Sequence, residues 1–267
     1  MNWLGLPEIA STHGADVDRI LVLVHLLMIV MFVGWGALFV YMLVRFRRSR
    51  HPAATYGGLS SKAPKAAEWA VLVSEVVLLA GFSIPLWSQR VDDFPREDAA
   101  LEVRVVGEQF AWNAHYAGND GIFGRTRPEL VDAESNPLGV DRADPNGKDD
   151  VTTVNQVHLP QGRPVIVHLS SKDVIHSFML NEFRVKQDAV PGLSIPVWFV
   201  PAVSTAEMRQ RKGDPEFQYE IACAQLCGIG HSQMRGFVTV HPAAEFDAWL
   251  TGESTTATET GGDDFWE

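Results

Sequence analysis

The chain has 267 residues, of which 46% are hydrophobic, and a formal net charge of −11. Its 33 acidic and 22 basic side chains argue against a nucleic-acid-binding protein, because neutralising phosphates calls for an excess of Lys and Arg. Two cysteines are too few for a disulfide-rich scaffold. The mean hydropathy of −0.01 suits one or two globular domains, yet the apolar and the acidic residues occupy different parts of the chain.

Two membrane-spanning helices are predicted as a hairpin within residues 20–90. The first, Ile20–Val44, contains no Asp, Glu, Lys or Arg, and a helix of that length is about 37 Å long, enough to cross a hydrocarbon core of about 30 Å. The second covers about residues 67–89 and has Pro85 near its end as a kink position. Because a charged side chain within a span is costly, we expect Glu75 to face protein rather than lipid.

The loop between the two spans, residues 45–66, is basic. It contains no acidic residue, and its cationic side chains are Arg45, Arg47, Arg48, Arg50, Lys62 and Lys65. Such an excess in a short loop is typical of the cytoplasmic side of a membrane. The N-terminal segment 1–19 and the chain after the second span are therefore predicted on the exported side. Residues 1–18 lack the features of a cleavable signal peptide, so we expect the first span to be retained.

Residues 91–242 are predicted to form an all-β domain. Leu101–Val106 alternates apolar and polar side chains, as a half-buried strand does. Short β-rich runs recur between clusters of Gly, Pro and Asp, at Pro164–Leu169, Val197–Val200, Phe217–Ala222 and Gly236–Val240. Several short strands with turn signals predict a sandwich or a barrel. Gly118–Asp150 is expected to be a long surface excursion. Residues 243–267 are expected to form an acidic C-terminal tail, in which a short amphipathic piece with Phe246, Trp249 and Leu250 precedes a mobile segment rich in Thr, Gly, Asp and Glu.

The most specific motif is Cys-x3-Cys-x3-His-x2-Met, which runs from Cys223 to Met234 between two predicted strands. Thiolates, an imidazole and a thioether together favour copper, because Met is a weak ligand that hard ions do not use. A mononuclear blue-copper site needs one Cys with two His, whereas two thiolates can bridge two copper ions and leave each ion one His and one weaker ligand. The motif therefore requires a second His from elsewhere in the chain.

Three other interpretations of the motif stay open: a disulfide in an oxidising compartment, a structural zinc site, and a His and a Met packed beside two free thiols. For the second imidazole we favour His176, which lies in Ser171–Phe178 after a predicted strand and before a turn. The histidines expected to be structural or outside the domain are His13, His25, His51, His115, His158, His168 and His241.

Together these features resemble subunit II of the haem–copper cytochrome c oxidases. The resemblance covers nearly the whole chain: the hairpin, D-V-I-H-S-F from Asp173 to Phe178, F-R-V-K-Q-D-A-V-P-G from Phe183 to Gly192, and C-A-Q-L-C-G-I-G-H-S-Q-M-R-G from Cys223 to Gly236. It implies an all-β cupredoxin-like Greek-key sandwich, anchored by the N-terminal two-helix hairpin, that holds the binuclear copper centre CuA.

The resemblance implies six copper ligands: His176, Cys223, Gln225, Cys227, His231 and Met234. The two cysteines would bridge the copper ions, the two histidines would each bind one, and the methionine and the backbone carbonyl of Gln225 would be the weaker ligands. The family commonly has Glu at this last position, where its side chain also reaches a Mg ion at the interface with subunit I. The missing charge puts that Mg ion in doubt.

Two further roles follow from the resemblance. The family usually has Trp at the position of Phe110, and Trp112 matches the second family Trp, so the electron-accepting role falls to one of these two rings unless both merely pack under the copper loop. Glu68 aligns with a Glu near the mouth of a proton-conducting channel, and an interfacial Glu paired with Lys or Arg is the equal alternative. Glu75 stands where the family often has Pro and receives no role.

The implied function is that of the electron-accepting subunit of a respiratory cytochrome c oxidase in a bacterial-type cell membrane. Electrons would pass from cytochrome c to the copper centre and then to haem in subunit I, which reduces oxygen to water and translocates protons. Implied partners are subunit I and other oxidase subunits, cytochrome c and, as an open point, a larger respiratory supercomplex. Without a C-x-x-C-H motif, no fused cytochrome c is expected.

Charge supports a cationic electron donor. From position 91 onward, 28 acidic and 14 basic side chains give a net charge of −14, which would attract a Lys-rich cytochrome.

Three other functions remain in competition. A quinol oxidase subunit II shares the hairpin and the sandwich but typically lacks the copper ligands. A CuA-bearing subunit of a nitric oxide reductase would differ in the partner's reaction. A membrane-anchored copper carrier would need a more open site from which copper exchanges.

Overall fold

A computed structural model describes residues 4–54, 56, 57 and 62–260, and the rest of the basic loop and the last seven residues lie outside them. The chain divides into a helical unit, residues 15–93, and a β-sheet unit, residues 5–14 and 94–260. The predicted segment 1–19 is therefore split. Its residues 5–14 pack with the β-sheet unit, where Ala10 is buried and its backbone N–H donates to the carbonyl of Glu182 at 2.7 Å.

The helical unit contains two long apolar helices. Helix α1 is Gly14–Arg45, and the second helix, Ala63–Val91, consists of α2 (Ala63–Leu78), a π-helical turn (Leu79–Ser83) and α3 (Ile84–Val91). Both are long and apolar enough to cross a membrane, as predicted. Their side chains are mostly exposed on the single chain, as expected for surfaces that face lipid or other subunits.

Pro85 widens the second helix rather than ending it. Proline has no N–H to donate, and its ring would clash with the carbonyl four residues earlier. The turn before it accommodates this by opening: the N–H of Ile84 donates to the carbonyl of Leu79, five residues back. Glu75 lies on the preceding turn and its side chain is exposed on the single chain. A protein neighbour for it would have to come from another subunit.

The β-sheet unit is a sandwich of two five-stranded sheets. One has the strand order β3-β2-β1-β5-β8 and the other β4-β10-β9-β6-β7. The strands are β1 (Leu101–Glu108), β2 (Ala111–Tyr116), β3 (Val151–Val154), β4 (Gln156–Pro160), β5 (Val165–Ser171), β6 (His176–Leu180), β7 (Val185–Ala189), β8 (Ile195–Phe199), β9 (Tyr219–Cys223) and β10 (Arg235–His241). The pairs β1–β5 and β4–β10 are parallel, and the other pairs are antiparallel. The all-β sandwich is thus confirmed.

The alternation of buried and exposed side chains along each strand explains how a sheet buries one of its faces. Along β1, the side chains of Leu101, Val103 and Val105 are buried, whereas those between them are exposed or half-buried. The inner faces of the two sheets supply a common core with large, fully buried aromatic rings, among them Trp112, Phe178 and Tyr219. Burying each such ring is worth about 1.5–3 kcal/mol, so this core stabilises the frame on which the ligand-bearing ends are fixed.

Two connections complete the unit. Residues 117–150, between β2 and β3, form the predicted surface excursion. The helix α4 (Thr205–Lys212) follows β8; it is capped at its start by the hydroxyl of Ser204, which accepts from the N–H of Glu207, and ended by the left-handed Gly213.

The last part of the described chain, Ala243–Thr260, is an α-helix, α5. The predicted amphipathic piece lies on its first turns, where Phe246, Trp249 and Leu250 pack against the sandwich core. The Thr- and Glu-rich segment after it, expected to be mobile, continues the same helix as far as Thr260.

Candidate metal centre

The predicted ligands converge at one end of the second sheet. His176 opens β6, Cys223 closes β9, and the other candidates lie on the loop between β9 and β10. Strands β6 and β9 are paired, with Phe178 opposite Cys223, so the imidazole and the first cysteine lie near the same edge. The loop returns through Gly228, whose φ of 134° is a conformation that favours glycine. The motif is therefore folded by the strands on either side of it.

We call the side chains of His176, Cys223, Cys227, His231 and Met234 the copper cluster. The two Sγ atoms lie 3.8 Å apart, and both cysteines are free thiols. Nδ1 of His176 is 3.9 Å from Sγ of Cys223, and Nδ1 of His231 is 3.6 Å from Sγ of Cys227. Sδ of Met234 is 3.7 Å from Sγ of Cys227. A histidine thus flanks each side of a central pair of sulfurs.

The backbone carbonyl of Gln225 belongs to the same arrangement. Its oxygen lies 3.2 Å from Sγ of Cys223, while the Gln225 side chain is exposed. The carbonyl therefore faces the sulfur pair from the side of Cys223, and Met234 faces it from the side of Cys227. Each half of the cluster has one cysteine, one imidazole and one weaker donor.

The spacing of these donors fits a metal site. Ligands at 2.0–2.3 Å from a tetrahedral ion are separated from each other by about 3.6 Å, and the measured donor separations are 3.6–3.9 Å. In the described part of the chain, His176, Cys223 and Cys227 are the one group of three or more His, Cys, Asp or Glu side chains whose ligand atoms lie close enough to hold an ion. Soft sulfur with imidazole and thioether is the donor set of copper.

Without a cation the site disfavours two thiolates. His176, Cys227 and Met234 are almost completely buried. Burial, together with the hydrogen bond and the charge of Cys223, raises the pKa of the Cys227 thiol to about 11. A bound cation must therefore displace the thiol protons, and metal binding releases protons to the solvent.

Asp173 fixes the orientation of His176. Its Oδ1 lies 2.8 Å from Nε2 of the imidazole, which leaves Nδ1 facing Cys223. Its Oδ2 accepts from the backbone N–H of Gln109 at 2.7 Å. Although partial burial opposes it, the hydrogen bonds from His176, Gln109 and Val174 lower the pKa of the Asp173 carboxyl. A carboxylate on the second ring nitrogen is the usual support of a metal-bound histidine.

Gln109 connects the two halves of the site. Its backbone is bonded to Asp173, and its side-chain Nε2 donates to the carbonyl of Cys227 at 2.5 Å. Sequence reasoning missed both residues. Asp173 could have been found from its position three residues before His176 across a turn. Nothing in the local sequence indicates the role of Gln109, because its contact with Cys227 spans more than a hundred residues.

The two aromatic candidates occupy different environments. Trp112 is completely buried, and its ring lies edge-on to His176 with 5.9 Å between ring centroids. Phe110 is half-buried and lies on the copper loop: a Cβ on Gly230 would come within 2.5–2.8 Å of its ring, so only glycine allows this approach. Phe110 therefore reaches the surface, whereas Trp112 belongs to the core.

The histidines expected to be structural have other partners. Nε2 of His115 lies 2.6 Å from Oδ2 of the buried Asp150, and His168 lies 3.4 Å from Glu102. His13 differs from the expectation, because it lies in the segment that packs with the β-sheet unit and is buried there.

His158 and His241 form what we call the histidine stack. Nδ1 of His158 and Nε2 of His241 are 2.8 Å apart, and the ring of Trp249 is stacked on His158 with centroids 4.1 Å apart. The stack holds α5 against β4 and β10, as a structural role requires.

Glu68 and the Mg site receive no geometric support of their own. Glu68 lies on α2 and its side chain is exposed on the single chain. Among the described residues, the one group of three or more His, Cys, Asp or Glu side chains that could hold an ion is that of His176, Cys223 and Cys227, which includes no carboxylate for Mg. Both remain predictions that depend on a partner subunit.

Comparison with known proteins points to one family. Residues 101–240 match the profile of the family described as cytochrome c oxidase subunit II, periplasmic domain. Over 225 residues the chain is 36% identical to the alternative cytochrome c oxidase subunit 2 of Bradyrhizobium diazoefficiens, a match that covers 83% of this chain and 74% of that relative. Over 273 residues it is 24% identical to cytochrome c oxidase subunit 2 of Synechocystis, covering 96% and 77%.

Among solved structures, the periplasmic domain of subunit II of cytochrome oxidase from Bradyrhizobium japonicum is 26% identical to the chain. The alignment covers 63% of this chain and 99% of that domain, with a TM-score of 0.40.

Proposed function

The chain belongs to the cytochrome c oxidase subunit II family, a membrane protein with an exported domain, and we propose that its copper cluster holds the binuclear centre through which electrons reach the oxidase. The observation that carries the proposal is the paired geometry of the donors: two free thiols 3.8 Å apart, each flanked by an imidazole and a weaker ligand. A mononuclear blue-copper site, which uses one cysteine and two histidines, would leave the second cysteine without a role.

When bound, two copper ions that share thiolates supply a one-electron carrier whose change of charge is spread over both ions. The chain's own residues do the rest. Cys223 and Cys227 would hold the copper ions through their thiolates, His176 and His231 through their imidazoles, and Met234 and the Gln225 carbonyl would be the weaker ligands. Asp173 holds the imidazole of His176, and the buried sandwich fixes both strands, so the ligands are positioned before metal arrives and move little on reduction.

Phe110 is the better candidate for electron acceptance. The donor must approach a surface-exposed group near the cluster, and Phe110 is half-buried on the copper loop whereas Trp112 is fully buried. Trp112 then serves as packing behind His176. A Phe110→Leu variant should slow copper reduction by cytochrome c and leave the copper spectrum unchanged. An unchanged rate would remove the ring from the pathway.

The copper loop also offers an apolar contact for the oxidase partner. Leu226 is 78% exposed and the side chain of Ile229 is fully exposed. Large apolar side chains at this exposure are typical of surfaces that another protein covers. We propose that they pack against subunit I, where haem accepts the electron and oxygen is reduced with proton translocation. Cross-linking from position 229 that labels no oxidase subunit would argue against it.

The membrane topology follows from the basic loop. Six cationic side chains between the spans support a cytoplasmic position for that loop. On this proposal, the N-terminal segment 1–19 and the domain that follows the second span both lie on the opposite, exported side. Labelling of a cysteine introduced at position 48 should require membrane permeabilisation. Labelling in intact cells would reverse the orientation.

Two weaker proposals concern protons and docking. Glu68, at the cytoplasmic start of the second span, is proposed at the mouth of a proton channel, and a Glu68→Gln oxidase that pumps at the normal rate would remove that role.

The charge of −14 after residue 90 is proposed to attract a cationic cytochrome c. Turnover that does not depend on ionic strength would exclude it.

The three competing functions can each be distinguished from the proposed one by an observation. The intact ligand set argues against a quinol oxidase, and buried ligands argue against a copper carrier, since Cys227 and Met234 are only 3% and 1% exposed. A nitric oxide reductase is distinguished by the reaction of the partner subunit.

The direct test is the metal content and spectrum of the purified full chain. The proposal predicts two copper ions per chain and an electron paramagnetic resonance signal in which one unpaired electron is shared by two copper nuclei. One copper per chain with a mononuclear blue-copper spectrum would contradict it. Ready transfer of the copper to a second apoprotein would favour the carrier.

A further inference from the structure

A cavity of about 540 Å³ lies on the outer face of the first sheet, away from the core. Its floor is formed by the outward-facing side chains Arg104 and Val106 of β1 together with His115 of β2. Its far wall is the excursion between β2 and β3, residues 126–138. The volume lies within the range of about 300–1,000 Å³ that is typical of small-molecule sites.

Most of the wall is apolar. It is built from Val106, Pro128, Val131, Pro137 and Leu138. Val131 is 48% exposed at the rim, so the cavity can be reached from solvent. Covering this apolar surface with a hydrophobic group is favourable, because it removes apolar area from water.

The excursion is built to keep this wall in place. The buried Asp150 accepts from the N–H of Gly124 at 2.9 Å and contacts His115 at 2.6 Å, which joins the excursion to the floor. Arg127 is paired with Asp141 at 3.0 Å. The wall is therefore braced by buried carboxylates and does not depend on its exposed apolar residues for position.

The charged groups of the cavity are cations: Arg104, Arg127 and Lys172. Lys172 is paired with Glu108 at 2.6 Å, and Arg127 with Asp141. Arg104 differs. Among the described residues its guanidinium has a ring as its close partner, the face of Phe123 at 4.0 Å, and no carboxylate within salt-bridge distance. Partial burial lowers the pKa of Arg104, and Asp150 and Glu102 offset this only in part.

We infer that this cavity binds a small amphipathic carboxylate, with the carboxylate on Arg104 and an aromatic or short aliphatic body along the apolar wall. Guanidinium pairs with carboxylate through two parallel N–H donors, and Arg104 has its donors available because it stacks on Phe123 through its face. The apolar wall faces the same space, so one ligand can satisfy both groups.

The test uses the full chain in nanodiscs and 3-phenylpropionate as the probe, followed by isothermal titration calorimetry with empty nanodiscs as the blank. A ligand of this size should bind with a Kd of about 0.1–1 mM. The uncharged 3-phenylpropanol should bind at least about tenfold more weakly, because it lacks the charge-assisted hydrogen bonds. Equal binding of the alcohol would overturn the assignment of the carboxylate to Arg104.

Two variants address the two halves of the site. Arg104→Gln removes the cation, and Val131→Trp fills the cavity without changing its charge; each should weaken 3-phenylpropionate binding by about tenfold or more. Arg211→Gln on α4, which pairs with Glu207 outside the cavity, is the matched control and should bind as the unaltered chain does.

Three results would overturn the inference. The first is no heat from the unaltered chain above the blank. The second is unchanged binding by both cavity variants. The third is binding of a Glu-rich peptide when 3-phenylpropionate gives no heat, which would assign the surface to a protein partner.

Discussion

The copper cluster and the histidine stack are built from similar parts and serve opposite purposes. Each has two histidines, at least one of which contacts a tryptophan ring, in the same sandwich. In the copper cluster, Asp173 occupies Nε2 of His176 and leaves Nδ1 facing a thiol. In the stack, the nitrogens of His158 and His241 face each other at 2.8 Å and their rings are stacked at 14°. The partner of the second ring nitrogen decides whether a histidine binds metal or packs.

The largest expected effect is the loss of a bridging sulfur. Cys227→Ser should remove the binuclear centre, because an alcohol at this position does not replace a soft bridging thiolate. We expect at most one copper per chain, and electron delivery to the oxidase slower by at least about a hundredfold. His241→Gln, in the stack, is the control and should keep both coppers. Equal loss in the two variants would remove the distinction between the regions.

The next effect is on stability rather than on metal. Trp249→Ala removes a half-buried ring that joins α5 to the sandwich, and should lower the free energy of unfolding by about 2–3 kcal/mol. For a unit of this size that corresponds to a decrease in Tm of about 4–10 °C. Thermal unfolding followed by circular dichroism measures it. Trp249→Phe should lose less, and the copper spectrum should be unchanged in both variants.

A smaller effect should follow from removing the charge that supports His176. Asp173→Asn keeps the size of the side chain but weakens the hold on the imidazole, and copper affinity should fall by about 10–100-fold. Competition with a chromophoric copper chelator measures the change. Asp188→Asn, an exposed acid on β7, is the matched control. If the two variants keep equal affinity, Asp173 is not a positioning residue.

The smallest effect is the pH dependence of the stack. Burial, together with the charge of His241, lowers the pKa of His158 to about 4, below the value of about 6.5 in the unfolded chain. The unfolded state therefore takes up a proton first, and the contribution of His158 is fully present above pH 6.5 and lost as the pH falls toward 4. Since His158 is partly exposed, we expect a loss of about 1–2 kcal/mol.

Denaturant titrations at pH 7 and pH 4.5 measure this loss. His158→Gln should show a smaller difference between the two pH values than the unaltered chain. An identical difference would assign the pH dependence to other groups.

The elements predicted correctly from the sequence are those that a short-range pattern of apolar residues defines. The five strands with apolar alternation or β-branched runs were found, as were the two apolar helices. Five further strands were missed. Along β2, Trp112–Tyr116 is buried on both faces, so alternation disappears, and β3 and β4 carry mixed polar residues. Of helix α5, the amphipathic start with Phe246 and Trp249 was predicted, but its continuation to Thr260 was not, because that Thr- and Glu-rich stretch has no apolar periodicity.

The metal motif could be predicted from the sequence because its ligands lie close together in the chain and are chemically unusual. The contacts that support the metal site could not be predicted. The bond from Gln109 to the Cys227 carbonyl joins the turn between β1 and β2 to a loop more than a hundred residues away, and the contact of Phe110 with Gly230 depends on the same folding. Such contacts leave no local pattern. The sequence therefore left open whether Phe110 or Trp112 accepts the electron, and the difference in burial favours Phe110.

The account is tested most directly by rapid mixing of the assembled oxidase with reduced cytochrome c, following copper and haem absorbance separately. With the unaltered chain, the copper absorbance should change first and the haem absorbance of the partner subunit should follow. In the Cys227→Ser complex, haem reduction should slow by at least about a hundredfold while the partner's haem content stays normal. Haem reduction at an unchanged rate in that complex would contradict an electron path through the copper cluster.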